Sequence, residues 1–111
     1  MAATHTLTPQ DAYSLDISII VPLLNEEESL PELKDWINRV CIQHDYRYEV
    51  IFIDDGSTDN SWQVIEKLRE EYPDNVKARK FQRNYGKSAA LHVGFQAAQG
   101  RVVITMDADL Q

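Results

Sequence analysis

Apolar residues along this chain fall in two rhythms, and the alternation between them predicts the architecture. Nearly unbroken apolar runs occur at Ile17-Ser18-Ile19-Ile20-Val21, Val50-Ile51-Phe52-Ile53 and Val102-Val103-Ile104-Thr105-Met106. Short runs of this kind mark strands buried on both faces, as in a parallel sheet, whereas a half-exposed strand alternates apolar with polar positions. Between the first two runs Leu30, Leu33, Ile37, Val40 and Cys41 recur at helical spacing, and Ser29-Leu30-Pro31-Glu32 has the S-x-x-E form of a capping box with proline in the first turn. A second helical stripe, Trp62, Ile65, Leu68 and Tyr72, lies within Asp59 to Tyr72 and is closed by Pro73-Asp74-Asn75. A weaker strand, Val76 to Phe81, follows. A third helix, from about Lys87 to Gln99, carries the small or apolar residues Ala90, Val93, Gly94 and Ala97 on one side, a face able to lie close to a sheet.

This order, β-α-β-α-β-α-β, predicts a three-layer α/β/α domain: a mostly parallel sheet of four strands with right-handed crossovers and helices on both faces. Composition supports one such domain. The 111 residues are 43% apolar and 26% charged, ordinary values for a globular protein. Residues 1–15 read as a flexible arm and residues 16–111 as the domain. The arm has neither a basic start nor an apolar core, so it reads as neither signal peptide nor transmembrane helix, and no apolar stretch is long enough to span a bilayer.

The net charge of −7 argues against nucleic acid as a partner and against anionic membrane surfaces reached by simple electrostatics. Cys41 is the single cysteine, so an internal disulfide and a cysteine metal cluster are both excluded. Its helical spacing from Ile37 places it in the core rather than among reactive thiols. His5, His44 and His92 are scattered and read as surface or packing residues.

Every polar cluster falls where a strand hands over to a helix, and in open α/β sheets ligands collect outside those strand ends. Asp107-Ala108-Asp109-Leu110-Gln111, just past the last apolar run, offers two carboxylates and an amide. Hard oxygen donors of this kind suit Mg²⁺ or Mn²⁺ holding a diphosphate, which makes this cluster a metal-binding address. Asp54-Asp55-Gly56-Ser57-Thr58-Asp59 ends a buried strand with adjacent acids. Helix capping accounts for Ser57 or Asp59, but one of the paired acids has to face the crevice, and Asp55 is read as the ligand contact. In Pro22-Leu23-Leu24-Asn25-Glu26-Glu27-Glu28, Glu27 and Glu28 favour the positive end of the next helix, while Glu26, nearest the strand, can reach a ribose hydroxyl.

Gln82-Arg83-Asn84-Tyr85-Gly86-Lys87-Ser88 is rich in donors and precedes a helix amino terminus, where anions are favoured. Lys87 fits a phosphate contact and a solvated turn equally well. The Gly-Lys-Ser end resembles a Walker A loop, but Phe81 stands where that loop needs glycine, and G-x-G-x-x-G is absent as well.

Taken in order, V-P-x-x-N-E (Val21 to Glu26), D-D-G-S-T-D (Asp54 to Asp59), R-N-Y-G-K (Arg83 to Lys87) and D-A-D-L-Q (Asp107 to Gln111) resemble the inverting nucleotide-sugar glycosyltransferases of family 2, with the GT-A fold. The nearer likeness is to polyprenyl-phosphate sugar transferases, the group of dolichol-phosphate mannose synthase. The resemblance implies that Pro22, Asn25, Glu26 and Asp55 hold the nucleoside of a UDP- or GDP-linked sugar. It places Arg83 at base or phosphate, Asp107 at ribose or metal, and Asp109 with Gln111 at the metal. Leu24 stands where the family usually has an aromatic residue.

The family continues past this metal motif into an acceptor half. The chain therefore reads as the donor-binding half, which binds nucleotide sugar without transferring it alone and pairs with itself through the strand from Val102 to Met106. The complete enzyme implied is a cytoplasmic domain at the cytoplasmic face of the membrane, acting on a polyprenyl phosphate or a cell-envelope glycan. Two other classes compete: a Mg²⁺-binding receiver-like signalling module, which wants its acidic pair after the first strand and its lysine after the last, and a non-catalytic assembly domain with a vestigial nucleotide site.

Overall fold

Strand β1 (Leu15–Leu23) is followed by helix α1 (Leu30–Gln43), β2 (Tyr48–Asp54), α2 (Ser61–Glu71), β3 (Val76–Lys80), α3 (Lys87–Ala97) and β4 (Gly100–Thr105) in the computed structural model, which describes residues 13–109. All pairings are parallel, in the order β3-β2-β1-β4. The chain first steps outward from β1 to β3 and then crosses back to lay β4 on the other side of β1. That reversal makes a topological switch point between β1 and β4, where open α/β sheets form their ligand crevice. A receiver-like module would follow the other doubly wound order, 2-1-3-4-5, so the sheet does not support that alternative.

The expected doubly buried strands are realised in β1 and β2. One face of the sheet, with Ile19, Val21, Val50 and Phe52, packs on α1 through Leu30, Leu33 and Ile37 and on α2 through Ile65 and Leu68. The opposite face presents Ile20, Ile51 and Ile53 to Ala90 of α3. Each fully buried aliphatic or aromatic side chain of this kind contributes about 1.5–3 kcal/mol. The small face of α3 sets its closeness: a Cβ added at Gly94 would lie 2.4 Å from Ile20 Cγ2. Cys41 is buried as its spacing suggests, and burial pushes its thiol pKa up, away from reactivity.

Several expectations need correction. The apolar run of β4 reads as doubly buried, yet Val102, Val103 and Ile104 are 40, 37 and 39% exposed. Hydrophobicity reports what a strand can bury; β4 is one of the two sheet edges, and its apolar side chains stay partly exposed. The capping box at Ser29 does not form, because Ser29 already has helical angles (φ −87°, ψ −19°) rather than the extended ones that aim a cap hydroxyl at the third amide. Helix α2 begins at Ser61 rather than Asp59, whose Oδ1 accepts the Ser61 N–H instead (2.8 Å). Helix α3 stops at Ala97, since Ala98 is extended (ψ 135°) and turns the chain into β4. Strand β1 begins at Leu15, paired with Gly100, and most of the expected arm lies outside the described residues. No described helix is long and apolar enough to cross a membrane.

Candidate active site

The four strands end side by side, and the four loops beyond them are tied into a closed ring. Asn25 adopts φ 55°, a left-handed conformation that asparagine tolerates, and there its Oδ1 accepts the N–H groups of Thr58 (2.8 Å) and Asp59 (3.2 Å). Its own N–H donates to Ser57 Oγ (2.8 Å), and the Glu26 N–H donates to Ser61 Oγ (2.9 Å). These bonds lock the loop after β1 to the loop after β2.

Asp55, only 6% exposed, then reaches the loop after β3: its Oδ1 accepts from the Tyr85 N–H (2.7 Å) and its Oδ2 from the Gly86 N–H (3.1 Å). Close approach demands a glycine beside it. Gly56 has φ 89°, and a Cβ there would lie 2.5 Å from the Arg83 carbonyl carbon and 2.7 Å from the Asn84 nitrogen. The ring closes through β4. Lys87 Nζ pairs with Asp107 Oδ1 (2.9 Å), and Ser29 Oγ donates to the Ala108 carbonyl (2.7 Å). Asp54, fully buried, accepts the Ser57 N–H at Oδ1 (2.8 Å), while its Oδ2 is buried with no hydrogen-bond partner among the described residues.

Within this ring a cleft of about 160 Å³ is lined by Pro22, Leu23, Leu24, Asp55, Lys87 and Asp107, at the β1/β4 switch point. Four of the residues singled out from sequence therefore converge: Pro22, Asp55, Lys87 and Asp107. Ligand pockets usually span about 300–1,000 Å³, so this cleft accommodates part of a nucleotide. Asn25 and Glu26 instead line a neighbouring hollow of about 310 Å³ with Glu27 and Asp59. Burial pushes the Asp59 carboxyl up, but hydrogen bonds from Ser61 and the Glu27 N–H outweigh it and hold the pKa low. Asp107 and Asp109 border a third, larger cavity of about 500 Å³ on the α1 side, beside Trp36 and Arg39. Arg83 turns to Tyr85, its guanidinium carbon 4.9 Å from the ring centroid. Gln111 lies outside the described residues.

Among the described residues no three His, Cys, Asp or Glu side chains converge into a metal cage. The donor set still fits a divalent ion of the Mg²⁺ or Mn²⁺ kind, which is characteristically held by one or two carboxylates and completed by substrate phosphate oxygens. Asp107 and Asp109, which border one cavity, are two carboxylates of that kind. Sequence reasoning missed the hydroxyls of Ser29, Ser57 and Ser61 as the clamps of the ring. Their signal was weak, since a serine at a strand end reads as ordinary turn chemistry.

Comparison with known proteins gives the family. Residues 18–111 match the model of glycosyl transferase family 2. An undecaprenyl-phosphate 4-deoxy-4-formamido-L-arabinose transferase of Pseudomonas fluorescens is 50% identical over 95 residues, covering 86% of this chain and 28% of the relative. One of the same description from Proteus mirabilis is 44% identical, covering 86% of this chain and 29% of its own length. The chain thus spans less than a third of these relatives. A mannosyltransferase of Pyrobaculum calidifontis, solved with GDP-Man and Mn²⁺, superposes with a TM-score of 0.74 at 29% identity, covering 93% of this chain and 30% of that one. TarS of S. aureus, solved with UDP-GlcNAc, gives 0.68 at 33% identity, covering 86% and 27%. The four-stranded parallel sheet with its helices superposes on the GT-A fold of these neighbours, and the chain belongs to glycosyl transferase family 2.

Proposed function

We propose that this chain forms the donor side of an inverting sugar transfer, binding a UDP- or GDP-linked sugar with Mg²⁺ or Mn²⁺. The observation that carries the reading is the convergence of Pro22, Asp55, Lys87 and Asp107 on one cleft at the switch point of the sheet. Asp55 faces the cleft while holding the 83–86 loop, so it accepts from a base N–H and positions Arg83 together. Pro22 and Leu24 give the base an apolar wall, and Glu26 with Asn25 forms the outer wall toward the ribose. Lys87, at the amino terminus of α3, meets the diphosphate. Asp107 and Asp109, with Gln111, hold the metal, which when bound neutralises the departing diphosphate.

The acceptor in a complete enzyme is a polyprenyl phosphate, in keeping with the relatives named as undecaprenyl-phosphate transferases, and its setting is the cytoplasmic face of a membrane. Calorimetry with UDP, GDP and their sugars, with and without Mn²⁺, tests the donor reading. Binding should be micromolar and metal-dependent, and Asp109→Asn should weaken it about tenfold, because an amide is a poorer ligand for a hard cation. Equal affinity with and without Mn²⁺, or no effect of the substitution, refutes the metal assignment. Absence of micromolar nucleotide binding favours the assembly-domain alternative.

A further inference from the structure

Lys87 and Asp107 are ion-paired, Nζ to Oδ1 at 2.9 Å, across the cleft that the donor reading fills. We propose that Lys87 is a resident counter-cation: it occupies the metal-binding carboxylate of Asp107 until a divalent ion arrives, then transfers to the diphosphate, making metal and nucleotide binding interdependent. The inference rests on the donor reading above and goes beyond it by giving Lys87 two successive partners.

The geometry supplies the reason. An ammonium in hydrogen-bond contact with Asp107 and a divalent cation on the same carboxylate repel strongly at such separations, so the two cannot share it without loss. The pair is also easily opened. Its side chains are 62 and 67% exposed, and exposed ion pairs contribute little. Once displaced, the lysine remains anchored at the first position of α3, inside a cleft otherwise lined by Asp55, Asp107 and apolar groups. The anion left for it there is the incoming diphosphate, whose binding is favoured by the same helix end. Metal alone must therefore take Asp107 from Lys87 with no carboxylate in exchange, since Asp55 is buried and already accepts the Tyr85 and Gly86 N–H groups, while metal with diphosphate gives the lysine a new partner. The result is positive coupling between the two ligands.

The test measures Mn²⁺ alone and nucleoside diphosphate separately, in the wild-type chain, Lys87→Gln and Lys87→Arg. Free Mn²⁺ is followed by electron paramagnetic resonance, and the bound ion is located by broadening of the Asp107 and Asp109 amide signals. Removing the competitor in Lys87→Gln should tighten Mn²⁺ binding about two- to fivefold, the range an exposed ion pair supports. The same variant should bind UDP or GDP about tenfold more weakly at saturating Mn²⁺, through loss of a charge-assisted contact. Lys87→Arg should stay near wild type in both. These opposite signs are what a merely structural lysine would not give. Wild-type binding of nucleotide with Mn²⁺, accompanied by an unchanged or weakened Mn²⁺ affinity in Lys87→Gln, overturns this proposal alone. A wild-type chain that binds no nucleoside diphosphate overturns the donor reading and this proposal with it.

Discussion

Replacing Glu49 by alanine should be strongly destabilising although the residue lies outside the site. Glu49 is fully buried in β2 and gathers donors from three other parts of the sheet: Ser18 Oγ on β1, Lys77 Nζ on β3, and the Gln99 N–H that opens β4 (2.7 Å). Ser18 Oγ in turn accepts the Gly100 N–H (2.7 Å), so one carboxylate registers the start of β4, whose other end carries Asp107. Hydrogen bonds to a charged group contribute about 1.5–3 kcal/mol each. The Lys77 side chain is 36% exposed and can be rehydrated, so its share falls to about 0–1 kcal/mol. The two remaining bonds amount to about 3–6 kcal/mol, partly offset because the variant no longer buries a carboxylate, and we expect a net loss of about 3 kcal/mol at pH 7. With a urea m-value of about 2 kcal/mol/M, the midpoint falls by about 1.5 M.

The loss should also depend on pH. Burial alone would push the Glu49 carboxyl up, but the hydrogen bonds from Lys77, Ser18 and Gln99, with the Lys77 charge, hold it below its ordinary value of 4.5. A depressed folded pKa means that the stabilisation is complete above 4.5 and is lost as pH falls through the folded value. The gap between wild type and Glu49→Ala should accordingly narrow on acidification below that point. A difference under about 1 kcal/mol at pH 7, or one that does not change with pH, would refute the reasoning.

Gly56→Ala combines a positive φ with backbone contacts at 2.5 and 2.7 Å, and should cost about 2–4 kcal/mol in thermal unfolding while weakening nucleotide binding by shifting the 83–86 loop; unchanged stability would show that the loop gives way freely. Lys34 is 1% exposed, with the Tyr48 hydroxyl at 2.9 Å and the Tyr72 ring centroid at 3.6 Å as partners, and burial lowers its pKa. Because the unfolded lysine holds its proton more tightly, wild-type stability should rise with pH toward 10.5, whereas Lys34→Met should lack that rise and gain about 1 kcal/mol at neutral pH; a loss above 2 kcal/mol would contradict this. The exposed edge of β4 should drive concentration-dependent pairing of two copies, seen by light scattering and abolished by Ile104→Lys, and a clean wild-type monomer at high concentration would exclude it.

The element order and the parallel character of the sheet were legible in the sequence, because unbroken apolar runs and helical spacing are local consequences of burial. The same holds for the positions of the polar clusters, since a strand that ends in Asp54 or precedes Asp107 announces its own boundary. What the pattern could not carry was which elements meet. Only the tertiary structure set β4 beside β1, bringing Pro22 to Asp107, and left the apolar residues of β4 on an open edge. Only there did Asp55 prove to clamp the backbone of Tyr85 and Gly86, Ser29 turn from helix cap to partner of Ala108, and Glu49, unremarked in the sequence, emerge as the staple of four strands. Periodicity records how much of a residue is hidden from water, whereas a hydrogen bond across 30 or 80 residues depends on chain reversals and close approaches that no local spacing encodes.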